Sequence, residues 1–535
     1  MNNNSIPGAL PHTPLRKLVL TIGLTTLATP LLADESLKFD GYLRQEMSWN
    51  MRNWQDTPGY DDKGKLSMAR STARLNLEWQ ATEDVALVAK LRASREVKTN
   101  FLDHLEDMGA NNYHESDGKG DIMDLYNQNE IRELYVDFPV GERTRLRLGK
   151  QQIAWGETDF FAANDLVHGF DNTWRSFLEP ANEELRKTNI MAKMNIDVPE
   201  LDGGIELFVR PGWDRKKDIG TELDIYGGRW SSQPYAGVDF RNIDPYNFEN
   251  KEGDYRDVTG GIRWSGLKGD TNYSLSYLRT FYPSPILNAS NNLALIGQPN
   301  VPSGATTKGA DQTRGVAGEI IYPMVDIFGF TASRYSDWAD AVLSTEVGYI
   351  KDAPYQVDSP TPTLLSQFIA PGYDGYTNKN VVAMMLRMDK NIAATQSWLG
   401  TEKPMFFSVQ LFDKWVQNFD KDDGLLYSVG WGGKVKEHSV LATTIFDLSY
   451  NNGRVRPQLV LGADLSNGGG FAVPSITVEL SSKVRWKVEY DAFWDDAHRD
   501  SSKCSQGQMN DCDNTTLFGY FHNRDQLYTS LTYLF

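Results

Sequence analysis

An all-β chain, closed into a transmembrane antiparallel β-barrel of about 18 strands, is the expectation from this 535-residue sequence. Three observations lead to it. The C-terminal stretch alternates, with Leu527, Thr529, Leu531, Tyr533 and Phe535 on one side and Tyr528, Ser530 and Thr532 on the other. Segments of about ten residues with the same alternation recur along the chain. The connections between them are lopsided, one set short and the other mostly long and polar. The segments count to about 18, and an even number between about 14 and 18 accommodates the less regular stretches.

The first strand is preceded by a processing signal. Arg16 and Lys17 lead into an apolar run from Leu18 to Leu32, with cleavage expected after Ala33. Residues 1–33 are therefore read as a signal peptide and 34–535 as one barrel domain. Loss of two basic residues takes the formal charge from -17 to -19. This acidic balance argues against nucleic acid as a partner. Beyond Leu32 no apolar run is long enough for a spanning helix. The mean hydropathy of -0.47 is compatible with a barrel, whose apolar content is spread in alternation. Aromatics at 12% and 45 glycines suit interfacial girdles and tight turns.

The strands follow in order. Phe39, Gly41, Leu43, Met47 and Trp49 oppose Asp40, Arg44, Glu46 and Ser48. Ala73, Leu75, Leu77 and Trp79 oppose Arg70, Arg74, Asn76 and Glu78. Val85, Leu87, Ala89 and Leu91 oppose Lys90 and Arg92; Leu134, Val136 and Phe138 oppose Glu133, Tyr135 and Asp137; Leu146 and Leu148 oppose Arg145 and Arg147. Ile190 to Ile196, Ile205 to Val209 and Val484 to Tyr490 repeat the pattern. Short connections fall at 81–84, 139–142, 198–203, 266–269, 451–453 and 481–483, and long ones at 52–65, 98–128, 153–186, 214–253, 282–313, 352–376, 417–437 and 495–525. The stretch 319–338 reads as one long strand, and 389–403 is long for a periplasmic turn.

The connection after the fifth strand is unusually apolar. Trp155, Phe160, Phe161, Phe170 and Trp174 lie within it, interrupted by Gly156, Gly169 and acids. Burying each ring is worth about 1.5–3 kcal/mol, so water is a poor resting place. The segment from Trp155 to Phe177 is expected to fold into the lumen as a luminal loop, with Arg145 and Arg147 pairing Glu157, Asp159 or Asp165 to hold it there. The arginines Arg44, Arg70, Arg74, Arg92, Arg145 and Arg147 alternate with Glu46, Glu78, Glu133 and Asp137, which favours a cross-strand ion-pair lattice over a one-signed pore. Cys504 and Cys512 share a polar loop and read as a small disulfide in an exported protein. Acids at 420–423, Asp117 and Asp121 lack a calcium-loop spacing, and the scattered histidines form no zinc or hydrolase motif, so no metal or cofactor is expected.

Leu146-Arg147-Leu148-Gly149-Lys150-Gln151-Gln152-Ile153-Ala154-Trp155-Gly156 resembles the "RLGRQ…WG" segment of a large uncharacterised Gram-negative outer-membrane family, known only as a domain of unknown function. Tyr322 to Gly329, followed by Leu343 to Tyr349, resembles its middle strands. The resemblance covers most of the mature chain and extends distantly to alginate-export porins. It implies an outer-membrane location and association with RND-type exporters and hydrophobic-compound catabolism. Separately, the alternating aromatic strand ending in Phe resembles the closing strand of Gram-negative outer-membrane barrels, which implies an insertion signal at Tyr533 and Phe535 for the barrel-assembly machinery.

The reading that results is a non-enzymatic outer-membrane channel for passive transport of hydrophobic or amphipathic small molecules. Its substrate path runs past Trp155, Phe160, Phe161, Phe170, Trp174, Arg145 and Arg147. Membrane lipid, an apolar cargo and an envelope transporter are its expected partners. A charged-lumen porin for anions or acidic oligosaccharides is the alternative, and an outer-membrane hydrolase a remote one.

Overall fold

The computed structural model describes residues 36–53, 61–108, 123, 126–156, 158, 161, 163–171, 175–179, 182–212, 229, 258–283, 286–287, 320–321, 323–357, 376–426, 433–498 and 515–535. Phe160, Trp174, Glu157, Asp159, Cys504, Cys512 and the signal peptide lie outside them.

Eighteen strands form one sheet: β1 Leu37–Asn50, β2 Leu66–Gln80, β3 Ala86–Glu96, β4 Asn129–Pro139, β5 Thr144–Gln151, β6 Asn189–Val198, β7 Gly203–Arg210, β8 Thr259–Lys268, β9 Thr271–Phe281, β10 Met324–Ser336, β11 Ala341–Gln356, β12 Tyr376–Ile392, β13 Met405–Val416, β14 His438–Asp447, β15 Val455–Asp464, β16 Gly470–Glu479, β17 Val484–Trp494 and β18 Gln526–Leu534. Each pairs antiparallel with its neighbours in sequence, and β18 pairs with β1. Closure leaves no sheet edge, which is the condition for strands to cross lipid. At the seam Gly41 and Phe535 exchange backbone hydrogen bonds at 3.2 and 3.1 Å, and the terminal ring packs over Gly41, where a Cβ would collide with it.

The alternation places apolar residues outside. Leu43, Leu91, Leu134, Leu148, Ile262, Leu275, Phe328, Leu386, Leu411, Ile476 and Leu531 are all exposed on the outer surface, while Glu46, Arg70, Arg92, Ser274, Gln410 and Glu489 are buried on the inner one. Aromatics mark the periplasmic margin, including Trp79, Trp264 hydrogen-bonded to Tyr273 at 3.1 Å, the Phe407–Phe446 pair, Tyr533 and Phe535. A closed antiparallel barrel with this band is the architecture of Gram-negative outer-membrane proteins, and the chain is one of them.

Three local features differ from the sequence reading. The stretch 319–338 divides into the two-residue strand Ile320–Ile321 and β10. The long turn after β12 contains a helical turn, Thr395–Trp398. The connection 465–469 is a short link on the outward end between β15 and β16, where the pattern suggested no turn. Nearby, the periplasmic turn after β14 is made possible by Asn451, Asn452 and Gly453, all with positive φ.

Candidate functional site

The lumen has two unlike walls. On β1 to β4 the inner face is a lattice of opposite charges. Arg70 pairs with Glu96 at 2.9 Å, Lys90 with Glu133 at 2.8 Å and Arg92 with Glu130 at 2.5 Å. A bulge in β4 opposite Lys90 and Leu91 lets both Arg132 and Glu133 point inward. On β9 to β17 the outward half of the inner face is largely apolar instead, with Glu489 and Asp491 on β17 as buried exceptions. Leu278, Val325, Ile327, Ile350, Val381 and Val416 join one buried cluster; Val460, Phe471, Val473 and Phe493 join a second.

The segment between β5 and β6 bridges these walls. Its charged side faces the lattice. The helical turn Asn182–Leu185 presents Glu184 to Arg74 and Arg92, and Arg132 donates to the carbonyls of Glu183 and Arg186 at 2.7 and 2.6 Å. Glu179 pairs with Arg44 at 3.6 Å. Arg175 reaches Glu489 and Asp491 at 2.6 and 3.0 Å and lies 3.7 Å over the Tyr528 ring. Burial works against ionising Glu184, but Arg74 and Arg92 outweigh it and hold its carboxyl below the usual range.

Its apolar side faces β7, β8 and the other wall. Trp155 is 1% exposed, edge-on to Phe208 at 5.4 Å, with its indole N–H donated to Glu206. Gly261 makes that fit possible: a Cβ there would meet the indole. Gly329 and Gly348 give the same clearance to Asn164 and to the Ala163 carbonyl, and the Asn164 N–H bonds Glu346. Phe161 packs on Phe412 at 5.5 Å, and Phe177 on Phe471 at 5.0 Å and Phe521 at 5.3 Å. Inside the segment, His168 is buried and neutral. Its Nε2 accepts from the Ile153 N–H at 3.0 Å, and its Nδ1–H donates to Asn189 at 2.9 Å. Burial first, then Arg210, lowers its pKa to about 3.

The segment thus enters the lumen, but the expected residues do not gather on one surface. Trp155 and Phe161 belong to different clusters, and Phe170 lies under Arg186, 5.8 Å from its guanidinium carbon. The expected tether needs correction. Arg145 and Arg147 both bind Asp137 on β4, at 2.7 and 2.9 Å, and Arg147 stacks on Tyr135. They sit at the periplasmic end of β5, away from Asp165, whose partner is Arg186. The sequence reading also missed the 3-10 helix Leu517–Phe521, which adds Phe518, Tyr520 and Phe521 to the second cluster. Its aromatic run carried the same signal as the earlier segment.

The family model "Protein of unknown function (DUF1302)" matches residues 34–535. The chain belongs to this family. No curated protein matches it. Among solved structures, the DUF1302 chain is similar to Pseudomonas aeruginosa OccK1 (OpdK), at 9% identity and TM-score 0.44, over 94% of this chain and 99% of that one. It is similar to Acinetobacter baumannii OccAB2, at 7% and 0.45, over 93% and 98%. It is also similar to Salmonella typhi OmpF in complex with daunomycin, at 10% and 0.38, over 93% and 97%. These likenesses concern the barrel alone.

Proposed function

We propose that this DUF1302 barrel is a passive, non-enzymatic outer-membrane channel for hydrophobic or amphipathic small molecules, with the β5–β6 segment as its gate. The observation that supports this most is the division of the lumen. The segment is held by ion pairs to the β1–β4 lattice and, through Arg175, to β17, and otherwise rests on the opposite wall mostly through apolar contacts. An apolar solute can replace Phe161 and Phe177 against Phe412, Phe471 and Phe493; water and small ions gain nothing there. Trp155, fully covered, serves as an anchor of the gate. Cargo passes Phe161 and Phe177 and leaves by the polar periplasmic half near Arg145 and Arg147. An envelope transporter on that side would receive or supply it.

The charged-lumen alternative loses ground because the inner arginines are engaged by acids. Deleting Glu157 to Trp174 tests the reading. Ion conductance in planar bilayers should rise, and discrimination for apolar solutes in liposome uptake should fall. Unchanged conductance with persistent apolar transport would reduce the segment to packing.

A further inference from the structure

A cluster on the extracellular rim has no part in the gate. Asp495 follows β17 directly, His498 lies three residues on, and His522 comes from the turn after Leu517–Phe521. Asp495 Oδ1 is 2.7 Å from His498 Nδ1, and Oδ2 is 2.7 Å from His522 Nδ1. The two rings stack with centroids 3.6 Å apart and planes 10° from parallel. One ligand atom from each of the three residues lies within 4.8 Å of the others. Among the described residues this is the one such group.

The two Nδ1 atoms and the two carboxylate oxygens thus converge on one small volume. Neutral imidazole is the form that binds metal. We propose that Asp495, His498 and His522 form a site for a divalent transition-metal cation of the zinc class. Two imidazole nitrogens and one carboxylate suit such borderline ions, whereas calcium and magnesium take oxygen shells. Each neutral imidazole binds in the tautomer that carries its one proton on Nε2, so that Nδ1 offers its lone pair to the cation with no proton lost, and Asp495 offsets one of the two charges. Water completes the shell, since His498 stands open to solvent. The bound ion ties the end of β17 to the Leu517–Phe521 turn, where Thr516 already donates to the Ala497 carbonyl at 3.3 Å.

The test is calorimetric titration of the untagged mature protein in detergent, with Zn2+ and in parallel with Ca2+. One equivalent of Zn2+ should bind, Ca2+ should not displace it, and Asp495→Asn or His522→Ala should each weaken it at least about tenfold. His438→Ala, which removes the isolated His438–Asp413 pair at 2.7 Å, should change nothing. The heat-modifiable migration of a folded barrel reports that each variant is intact, and the exposed His498→Gln provides a mild variant should the others misfold. No Zn2+ binding by the wild type, or undiminished binding by folded His498→Gln and His522→Ala, overturns the site and leaves a hydrogen-bonded clamp. Displacement by Ca2+ overturns the donor assignment.

Discussion

His168 is a base that cannot easily take a second proton where it sits. Its pKa is about 3 in the folded protein and about 6.5 in an open chain. A depressed base contributes stability above its unfolded value, and that contribution is lost as pH falls, by about 1.4 kcal/mol per unit below about pH 6.5. Burial raises Asp165 and Glu179, which works in the opposite direction. Conductance should therefore rise on acidification from about pH 6.5, and His168→Asn should remove that component; identical pH profiles would contradict it. Gly261 acts by having no side chain. Gly261→Val should dislodge Trp155 at a cost of about 1–3 kcal/mol of local docking, read as new tryptic cleavage after Arg175 and Arg186. At this level the sequence was a partial guide. Local composition marked Trp155 and Phe161 as unsuited to water. Which arginine meets which acid was not readable, because periodicity assigns a residue to a face without naming its partner across the lumen, and so Arg145 and Arg147 stood in for Arg74, Arg92 and Arg132.

The β4 bulge is a small element with a long reach. By adding one residue it sends Arg132 inward beside Glu133, onto the carbonyls of Glu183, within the turn Asn182–Leu185, and of Arg186, just after it. Arg132→Ala leaves two buried acceptors unbonded, at about 1–3 kcal/mol each. The gate should loosen while the barrel persists: higher conductance with unchanged heat-modifiability. Equal conductance would show that Glu184 alone holds the turn. Strands with one lipid face and one charged face were easy to find, since β1 to β5 alternate cleanly. The outward halves of β9 to β13 were harder, because Val325 and Ile327 put apolar groups inside as well. The link 465–469 escaped notice although Asn467 and the run Gly468 to Gly470 are turn residues, because outward connections were expected to be mostly long.

The barrel is held together by one seam. Deleting Leu527 to Phe535 removes all of the β18 pairing to β1 and β17 except that of Gln526, leaving two edges in a medium that satisfies neither. The truncated chain should be degraded or remain periplasmic; embedded, heat-modifiable product would count against closure by β18. The architecture was the most readable level of all, since alternation, asymmetric connections and the terminal aromatic act together. Two unlike luminal walls were not foreseen, because each arises from residues far apart in the chain.

That seam also sets an order of events in time. Seventeen of the ladders join strands adjacent in sequence and can zip up one after another, whereas the last joins Tyr42 to Leu534. Bringing those ends together carries a chain-entropy cost of about 5–6 kcal/mol if the intervening chain is slack, and far less once the other strands have curled it into an arc. The first strand must therefore wait, with one edge unpaired, until β18 has been synthesised, exported and delivered to the same place.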